Sequence, residues 1–375
     1  MLKICIWMNI PSHYQSAFFQ ALERRDDVDL RVGYFNGASQ DRAAEGWKNE
    51  YDFKAYEFCA ENGSSPSSLV ESVSDWKERI HVISGYFSSE LIDWFCEQKA
   101  TWCHWSEMPG IRLADLLGFR TPLFRLLNPL MLRCKRSDGM RIKKHALCAF
   151  GQGVLARRAF TQMGVPDNMI SDLYYVPEGL KTAEPSEQMV EFAQGRKIFL
   201  AVGALCRRKG VDVLLKAFAK QKTNDWCVVF CGLDRANGLY QALAEKLNIQ
   251  NQVLFLGAYP VERIAEVYTA ADVFVLPSRF DGWGAVLNEA ASLGVPLIGT
   301  DLCGGSWHVI KEGVSGYRVR AGSVSSLAGG LSAYIEQPEK IDLHGPKALE
   351  IFEQNFTPDR NAARLVESLS ERGCA

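Results

Sequence analysis

Residues 273–306 read VFVLPSRFDGWGAVLNEAASLGVPLIGTDLCGGS and hold side chains and turns suited to phosphate and hydroxyl chemistry. An apolar run ends at Leu276-Pro277, a loop passes through Asp281-Gly282-Trp283-Gly284, and a helix is expected from about Gly284 to Leu293 before Gly294-Val-Pro296 leads into the next strand. Glycines at 282 and 284 let backbone N–H groups approach a ligand at the positive end of that helix, where a phosphate binds without a metal. Asp281 lies in the loop and Glu289 about a turn and a half into the helix, so both can face one cleft and accept hydrogen bonds from sugar and ribose hydroxyls. Alone, such a pair reads as a dipole-compensating charge and a solvated face; the flanking glycines and strands favour a site.

A second element, KIFLAVGALCRRKGVDVLLKAF at 197–218, is a strand, a glycine turn, the basic triplet Arg207-Arg208-Lys209 and a helix with Val211, Leu214, Leu215 and Phe218 on one side. Cations projected from that turn could neutralise a departing diphosphate; without the 273–306 stretch they would read as surface arginines. Two further motifs compete. Gly151-Gln-Gly153-Val-Leu-Ala156 matches the G-x-G-x-x-A dinucleotide fingerprint, but Asp172 precedes its strand rather than ending it, and the motif lies deep in its domain. Asp27-Val-Asp29 has the spacing of a metal-holding acid pair and reads more simply as the polar edge of the strand DLRVGYF. Eleven cysteines lie mostly in apolar runs with no C-x-x-C pair, and the six histidines lack metal spacing, so buried thiols are expected and a metal site is not.

Positioning such turns takes parallel sheets. A chain of 375 residues suits two domains of roughly 150 residues or more. With 42 basic against 44 acidic residues and 47% hydrophobic residues, it is neither a strongly basic nucleic-acid binder nor wholly disordered. The opening MLKICIWMNIP is interrupted by Asn9 and Pro11, and no later apolar run nears the roughly 20 residues that span a bilayer, so the protein is expected to stay in the cytoplasm. Strand candidates are Lys3–Met8, Leu30–Phe35, His81–Ser84, Ala100–His104, Ala146–Phe150 and Leu173–Val176. A polar stretch at 181–196 follows as the expected hinge, and then Lys197–Val202, Trp226–Cys231, Val253–Leu256, Val273–Leu276, Val295–Gly299 and Gly316–Val319. Alternation with amphipathic stretches predicts an α/β chain of two doubly wound domains, 1–182 and 183–356, with a cleft between them. Thr357 and Pro358 open a final helix with Ala362, Leu365, Val366 and Leu369 on one face. Between Met131 and Arg158 eight cations stand against Asp138 alone, after the apolar LLNPLML; this face could meet solvent or an anionic membrane surface.

Together the two elements resemble family 4 of the retaining glycosyltransferases, the group 1 sugar transferases of GT-B fold, in which two Rossmann-like domains face each other. The E-x(7)-E motif falls on Asp281 to Glu289, the R-K-G turn on Arg208-Lys209-Gly210, the G-V-P strand on Gly294-Val-Pro296 and T-x-x-G-G on Thr300 to Gly305. The resemblance is close over about 197–320 and rests on layout in the N-terminal domain. It implies that Arg208, Lys209, Asp281, Glu289 and a cleft histidine, His104, carry the reaction. A nucleotide-sugar donor is then held by Gly203, Arg207, the turn at Gly257 and Tyr259, and the segment Gly282, Trp283, Gly284, Ala285 and Val286. Asn9, Ser12, His13 and Tyr14 would shape an acceptor site, with Glu107 an alternative cleft residue to His104. The final helix, 357–371, would cross back onto the N-terminal domain. No cofactor, metal or nucleic acid is implied; the acceptor would be a glycan or a lipid-linked precursor of a polysaccharide or lipopolysaccharide, at the inner face of the cytoplasmic membrane. The chain departs from the family pattern at Asp281, one methylene shorter than glutamate, at Ala204 in place of an arginine, and at Glu178-Gly-Leu-Lys181. A noncatalytic nucleotide-sugar-binding subunit and a nucleotide-sugar epimerase remain the alternatives.

Overall fold

A computed structural model describes residues 1–37, 51–60, 65–85 and 89–373. Two parallel sheets form the molecule. The first contains β1 (Leu2–Met8), β2 (Val28–Tyr34), β3 (Glu57–Cys59), β4 (Ile80–Ser84), β5 (Trp102–Ser106), β6 (Cys148–Gly151) and β7 (Ile170–Asp172), in the order β3-β2-β1-β4-β5-β6-β7. The second contains β8 (Lys197–Val202), β9 (Trp226–Cys231), β10 (Val253–Gly257), β11 (Val273–Leu276), β12 (Leu297–Thr300) and β13 (Gly316–Val319), in the order β10-β9-β8-β11-β12-β13. Helices cover both faces, which is why central strands such as VFVL at β11 are buried at every position.

Each sheet reverses its winding once, between β1 and β4 in the first and between β8 and β11 in the second. Loops at the C-terminal ends of strands flanking such a reversal diverge and open a crevice. The Gly203–Lys209 turn after β8 and the Pro277–Gly284 loop after β11 therefore stand side by side.

Three sequence expectations change. The last strand of the first sheet is Ile170–Asp172 rather than Leu173–Val176. Leu173 still donates to the Gly151 carbonyl at 3.0 Å, but beyond it Asn361 replaces the ladder, accepting from the Tyr174 amide at 3.1 Å and donating to its carbonyl at 2.9 Å. β3 is a three-residue edge strand, too short for a hydrophobic period. The stretch 181–196 contains a helix, Glu187–Ala193, whose Met189 and Ala193 join the second domain's core, so the free connection is shorter than its composition suggests.

Thr357 caps the final helix, Pro358–Ser370, by accepting from the Arg360 amide, a contact worth about 1 kcal/mol. Ala362, Leu365, Val366 and Leu369 of this helix are buried with Phe18, Phe19 and Leu22 of the first domain. Burying one such leucine contributes roughly 1.5–3 kcal/mol, which fastens the helix to that domain. The ten cysteines among the described residues are free thiols, and Cys374 lies outside those residues.

Candidate active site

A cavity of about 530 Å³ lies where the two sets of loops face each other. Lys209 is central to it. Its ammonium sits 2.7 Å from Asp281 Oδ2, while Arg208 approaches the same oxygen at 3.5 Å. Lys209 runs beneath Gly203, where a Cβ would come 3.2 Å from its stem, and the basic turn closes through Gly210 at φ +72°, where any side chain would overlap the Pro277 carbonyl. Burial works to raise the Asp281 pKa, but Lys209 and Arg208 outweigh it and hold the carboxyl below its ordinary value. The cations expected to meet a diphosphate are thus kept in place by an internal counterion.

Arg279, nine-tenths buried, holds the basic turn from behind: its guanidinium grips Asp212 at 2.7 and 2.8 Å and donates to the Arg207 carbonyl at 2.8 Å, while its amide donates to the Arg208 carbonyl. Sequence reasoning passed it over because a lone arginine after a strand carries no spacing signal.

The loop beside this cluster offers unused donors. Among the described residues, no hydrogen bond of the fold takes the amides of Gly282, Trp283, Gly284 or Ala285. Gly284 adopts φ +82°, and a Cβ there would press on Cys303 Sγ and Leu276. The following helix is only Val286–Ser292, starting two residues later than expected. The loop amides, more than a helix dipole, therefore present positive charge to the cavity. The Trp283 ring turns into the core, stacked 5.0 Å from Tyr174, with its indole N–H on Asn288.

Glu289 lines the cavity but is itself engaged, accepting from Tyr268 at 2.5 Å and from Tyr14 of the first domain. Burial raises its pKa against those two hydrogen bonds. Tyr268 is a further residue that the sequence did not single out.

From the first domain, His13, Tyr14 and Glu107 reach the cavity. His104 does not. It is buried in β5 with its ring edge-on to Phe160 at 5.7 Å, and burial pushes its pKa down to about 4, so it is a core residue. Both faces of β5 are covered, so alternation within WCHWS could not separate core from cleft. Glu107, one residue past the strand end, takes the cleft position instead. Desolvation by the surrounding walls, with Asp281 adding to it and Arg208 and Lys209 opposing, pushes its pKa up to about 7.

Other expected residues lie outside the cavity. Arg207 is exposed and donates to the Gly118 carbonyl across the domain boundary at 2.6 Å. Asn9 pairs with Asn36, and Ser12 is buried against the Tyr175 hydroxyl at 2.9 Å. Gly257 gives its carbonyl to the Gly232 amide, whereas Tyr259 and Ala258 of the same turn line the cavity.

The rival glycine turn at 151–153 is occupied. His308 of the second domain accepts from the Val154 amide at 2.8 Å, at the start of the helix Val154–Met163, and a side chain at Gly153 would strike its ring. No room remains there for a pyrophosphate. Phe124 on Phe280, Arg125 on Asp301 at 2.6 Å and Thr121 on the Ala321 carbonyl also join the domains.

The sequence model of the family described as Glycosyl transferases group 1 matches residues 184–348, which contain the basic turn, the 281–284 loop and Glu289. This segment is similar to the group 1 glycosyl transferases. A D-inositol 3-phosphate glycosyltransferase of Nocardia farcinica is 30% identical over 187 residues, 48% of this chain and 41% of that protein. A Corynebacterium urealyticum protein of the same name is 33% identical over 154 residues, 39% of this chain and 36% of that one. The matched segment is thus less than half the length of these curated relatives. Among solved structures, Anabaena Alr3699/HepE in complex with UDP superposes with a TM-score of 0.73 over 99% of this chain and 100% of that one at 17% identity. The lipopolysaccharide outer core galactosyltransferase WaaB does so with 0.68 at 16% identity, over 99% and 100%. The two domains together share the GT-B fold of these structures.

Proposed function

We propose that the chain transfers a glycosyl group from a nucleoside diphosphate sugar to an acceptor hydroxyl, with retention of anomeric configuration. The observation that carries this reading is the Lys209–Arg208–Asp281 cluster beside four unused loop amides in a cavity between the domains. As the bond from the sugar's anomeric carbon to the phosphate oxygen breaks, negative charge develops on the diphosphate. Arg208, Lys209 and the amides of Gly282 to Ala285 stabilise it in the cavity between the domains. The acceptor oxygen bonds to the anomeric carbon from the same face, and its proton passes to the departing phosphate oxygen, so no protein nucleophile is needed. These cations do the work a metal would otherwise do at the diphosphate. The complexes of Alr3699/HepE with UDP and with UDP-glucose support a uridine donor, with Tyr259 and Ala258 at the base.

For the acceptor we infer a lipid-linked glycan precursor approached at the inner face of the cytoplasmic membrane. No helix among the described residues is long and apolar enough to cross a membrane. Six of the eleven exposed large apolar side chains among the described residues, however, fall between Ile111 and Met140. Arg112, Arg120, Arg133, Arg136, Lys143 and Lys144 are exposed in the same segment. Among the described residues, ion pairs between 131 and 146 engage only Lys135 and Arg141. An apolar face fringed by unneutralised cations suits anionic headgroups at about 1 kcal/mol per cation.

The direct test is the thermal midpoint with UDP and UDP-glucose, EDTA present throughout. Saturation at 100 times the dissociation constant adds roughly 2.7 kcal/mol of stability. A shift that Lys209→Ala removes supports the donor site; no shift with any nucleoside diphosphate overturns it. Replacing Arg133, Arg136, Lys143 and Lys144 by glutamine is expected to release the protein from phosphatidylglycerol vesicles, and unchanged binding would overturn the membrane reading.

A further inference from the structure

We infer that Glu107 makes the sugar end of the cavity selective for an uncharged glycosyl donor and that it rejects hexuronates. The inference rests on the donor site proposed above and names the class of sugar that the site takes.

Glu107 reaches across the cleft. It leaves the end of β5 in the first domain and crosses to the second, where its carboxyl lies against Gly282: a methyl group built on Gly282 would overlap both carboxylate oxygens and the carbon between them. Gly282 is the first residue of the segment whose amides are unused, and it follows Asp281 directly. The carboxylates of Glu107 and Asp281 therefore border one small volume from opposite domains. Nothing larger than glycine at 282 would leave room for Glu107 or for a ligand that displaces it.

Groups facing Glu107 are Asp281, Arg208 and Lys209 from the second domain, with His13 of the first domain and Glu289 of the second on the same cavity. Without a ligand, Lys209 and Arg208 serve Asp281. A diphosphate brings about two negative charges to these cations and competes for them. The sugar beyond it then meets two carboxylates with no cation of their own. Hydroxyl groups are suited to such a place, because each can donate to a carboxylate oxygen. A sugar carboxylate is not, because it adds a third like charge without a donor, and opposed like charges disfavour binding. Glu107 is the less compensated of the two acids, since no salt bridge among the described residues engages it, whereas Asp281 has Lys209 at 2.7 Å.

The test uses the full chain at pH 9, well above the value to which Glu107 is raised, and measures dissociation constants for UDP, UDP-glucose and UDP-glucuronate, and for GDP, GDP-mannose and GDP-mannuronate. The wild type is expected to bind the hexose of the accepted nucleotide at least tenfold more tightly than the matching uronate. Glu107→Gln keeps the size of the side chain and removes its charge. It is expected to bind the bare nucleotide at least as tightly as the wild type and to reduce the preference severalfold. Equal wild-type affinities for hexose and uronate, with the bare nucleotide bound, would overturn the inference and leave the donor site standing. A preference that survives intact in a folded Glu107→Gln protein would remove Glu107 as its source and overturn the inference as well. Failure of all six ligands to bind would bring down the donor site itself, and this inference with it.

Discussion

The glycine turns at 151–153 and 282–284 each join a strand to a helix, and of these two the second is open. At 151–153 the turn after β6 has the spacing of a dinucleotide fingerprint and a ten-residue helix behind it, yet His308 from the opposite domain takes the first amide. At 282–284 the turn after β11 has a seven-residue helix behind it and no such fingerprint, yet its amides face the cavity with Lys209 alongside. The more conventional motif is used to fasten the domains, and the less conventional one is free for a ligand. Anion capacity depends on which amides the fold leaves unspent and on which cations it holds nearby, more than on glycine spacing or helix length.

The largest effect should come from removing the cation that distinguishes the open turn. Lys209→Ala is expected to lower nucleotide affinity at least a hundredfold. It also leaves Asp281, only 14% exposed, without its main partner, and stripping one member of a buried pair costs roughly 3–5 kcal/mol. Adding Asp281→Asn separates the two effects. The double variant is expected to recover most of the lost stability and none of the affinity, as read by chemical denaturation and calorimetric titration. Recovery of both would show that Lys209 acts only as a structural partner of Asp281 and would undo the contrast between the turns.

That contrast was only half legible in the sequence. In the second domain, β8, β9, β11 and β13 have the ends their apolar runs predict, because strands covered on both faces are uniformly apolar and stop where the cover stops. The loop amides and the basic turn follow from the same runs, since residues just past strand ends at a winding reversal must line the crevice. His104 was misplaced by that same uniformity: when both faces of a strand are buried, nothing in the alternation marks the side facing the cleft. Glu107 satisfies the strand-end rule that His104 fails. Arg279 and His308 were not legible, because each acts on a segment brought to it only by tertiary folding, Arg207–Arg208 in one case and Gly153–Val154 in the other.

A methyl group on each turn sharpens the comparison. Both glycines have positive φ, +80° at 153 and +82° at 284, so alanine at either is expected to cost about 1–3 kcal/mol of backbone strain. Functionally the two should part. Gly284→Ala crowds Cys303 and Leu276 beneath the open loop and is expected to weaken nucleotide binding roughly tenfold or more. Gly153→Ala displaces the His308 ring and meets the 281–285 loop only at the core-facing Trp283 ring, 3.1 Å away, and is expected to bind UDP within about threefold of the wild type while widening the scattering envelope. Similar losses of UDP affinity in both variants would mean that the closed turn also contributes to the ligand site.

The smallest effect concerns the proton on the histidine that fills the closed turn. With Nε2 accepting from the Val154 amide, the His308 proton lies on Nδ1, directed at the Tyr174 hydroxyl at 3.4 Å. Burial lowers the His308 pKa, with Arg364 and Arg318 acting in the same direction and Asp172 against it. Because the folded value lies below the ordinary 6.5, the folded state binds this proton less readily than the unfolded chain. The contribution is therefore complete above about pH 6.5 and is lost as the pH falls through the lower, folded value. Protonation would set an Nε2–H against the Val154 N–H and a cation at the positive end of a ten-residue helix. The loss amounts to one neutral hydrogen bond and an unfavourable dipole contact, about 1–2 kcal/mol. Small-angle scattering between pH 8 and pH 5 is expected to show a modest opening of the domains. In His308→Gln, whose amide oxygen can accept from Val154 at any of these pH values, that opening should disappear. An identical pH response in the glutamine variant would move the titrating group elsewhere in the interface and leave His308 as a packing residue.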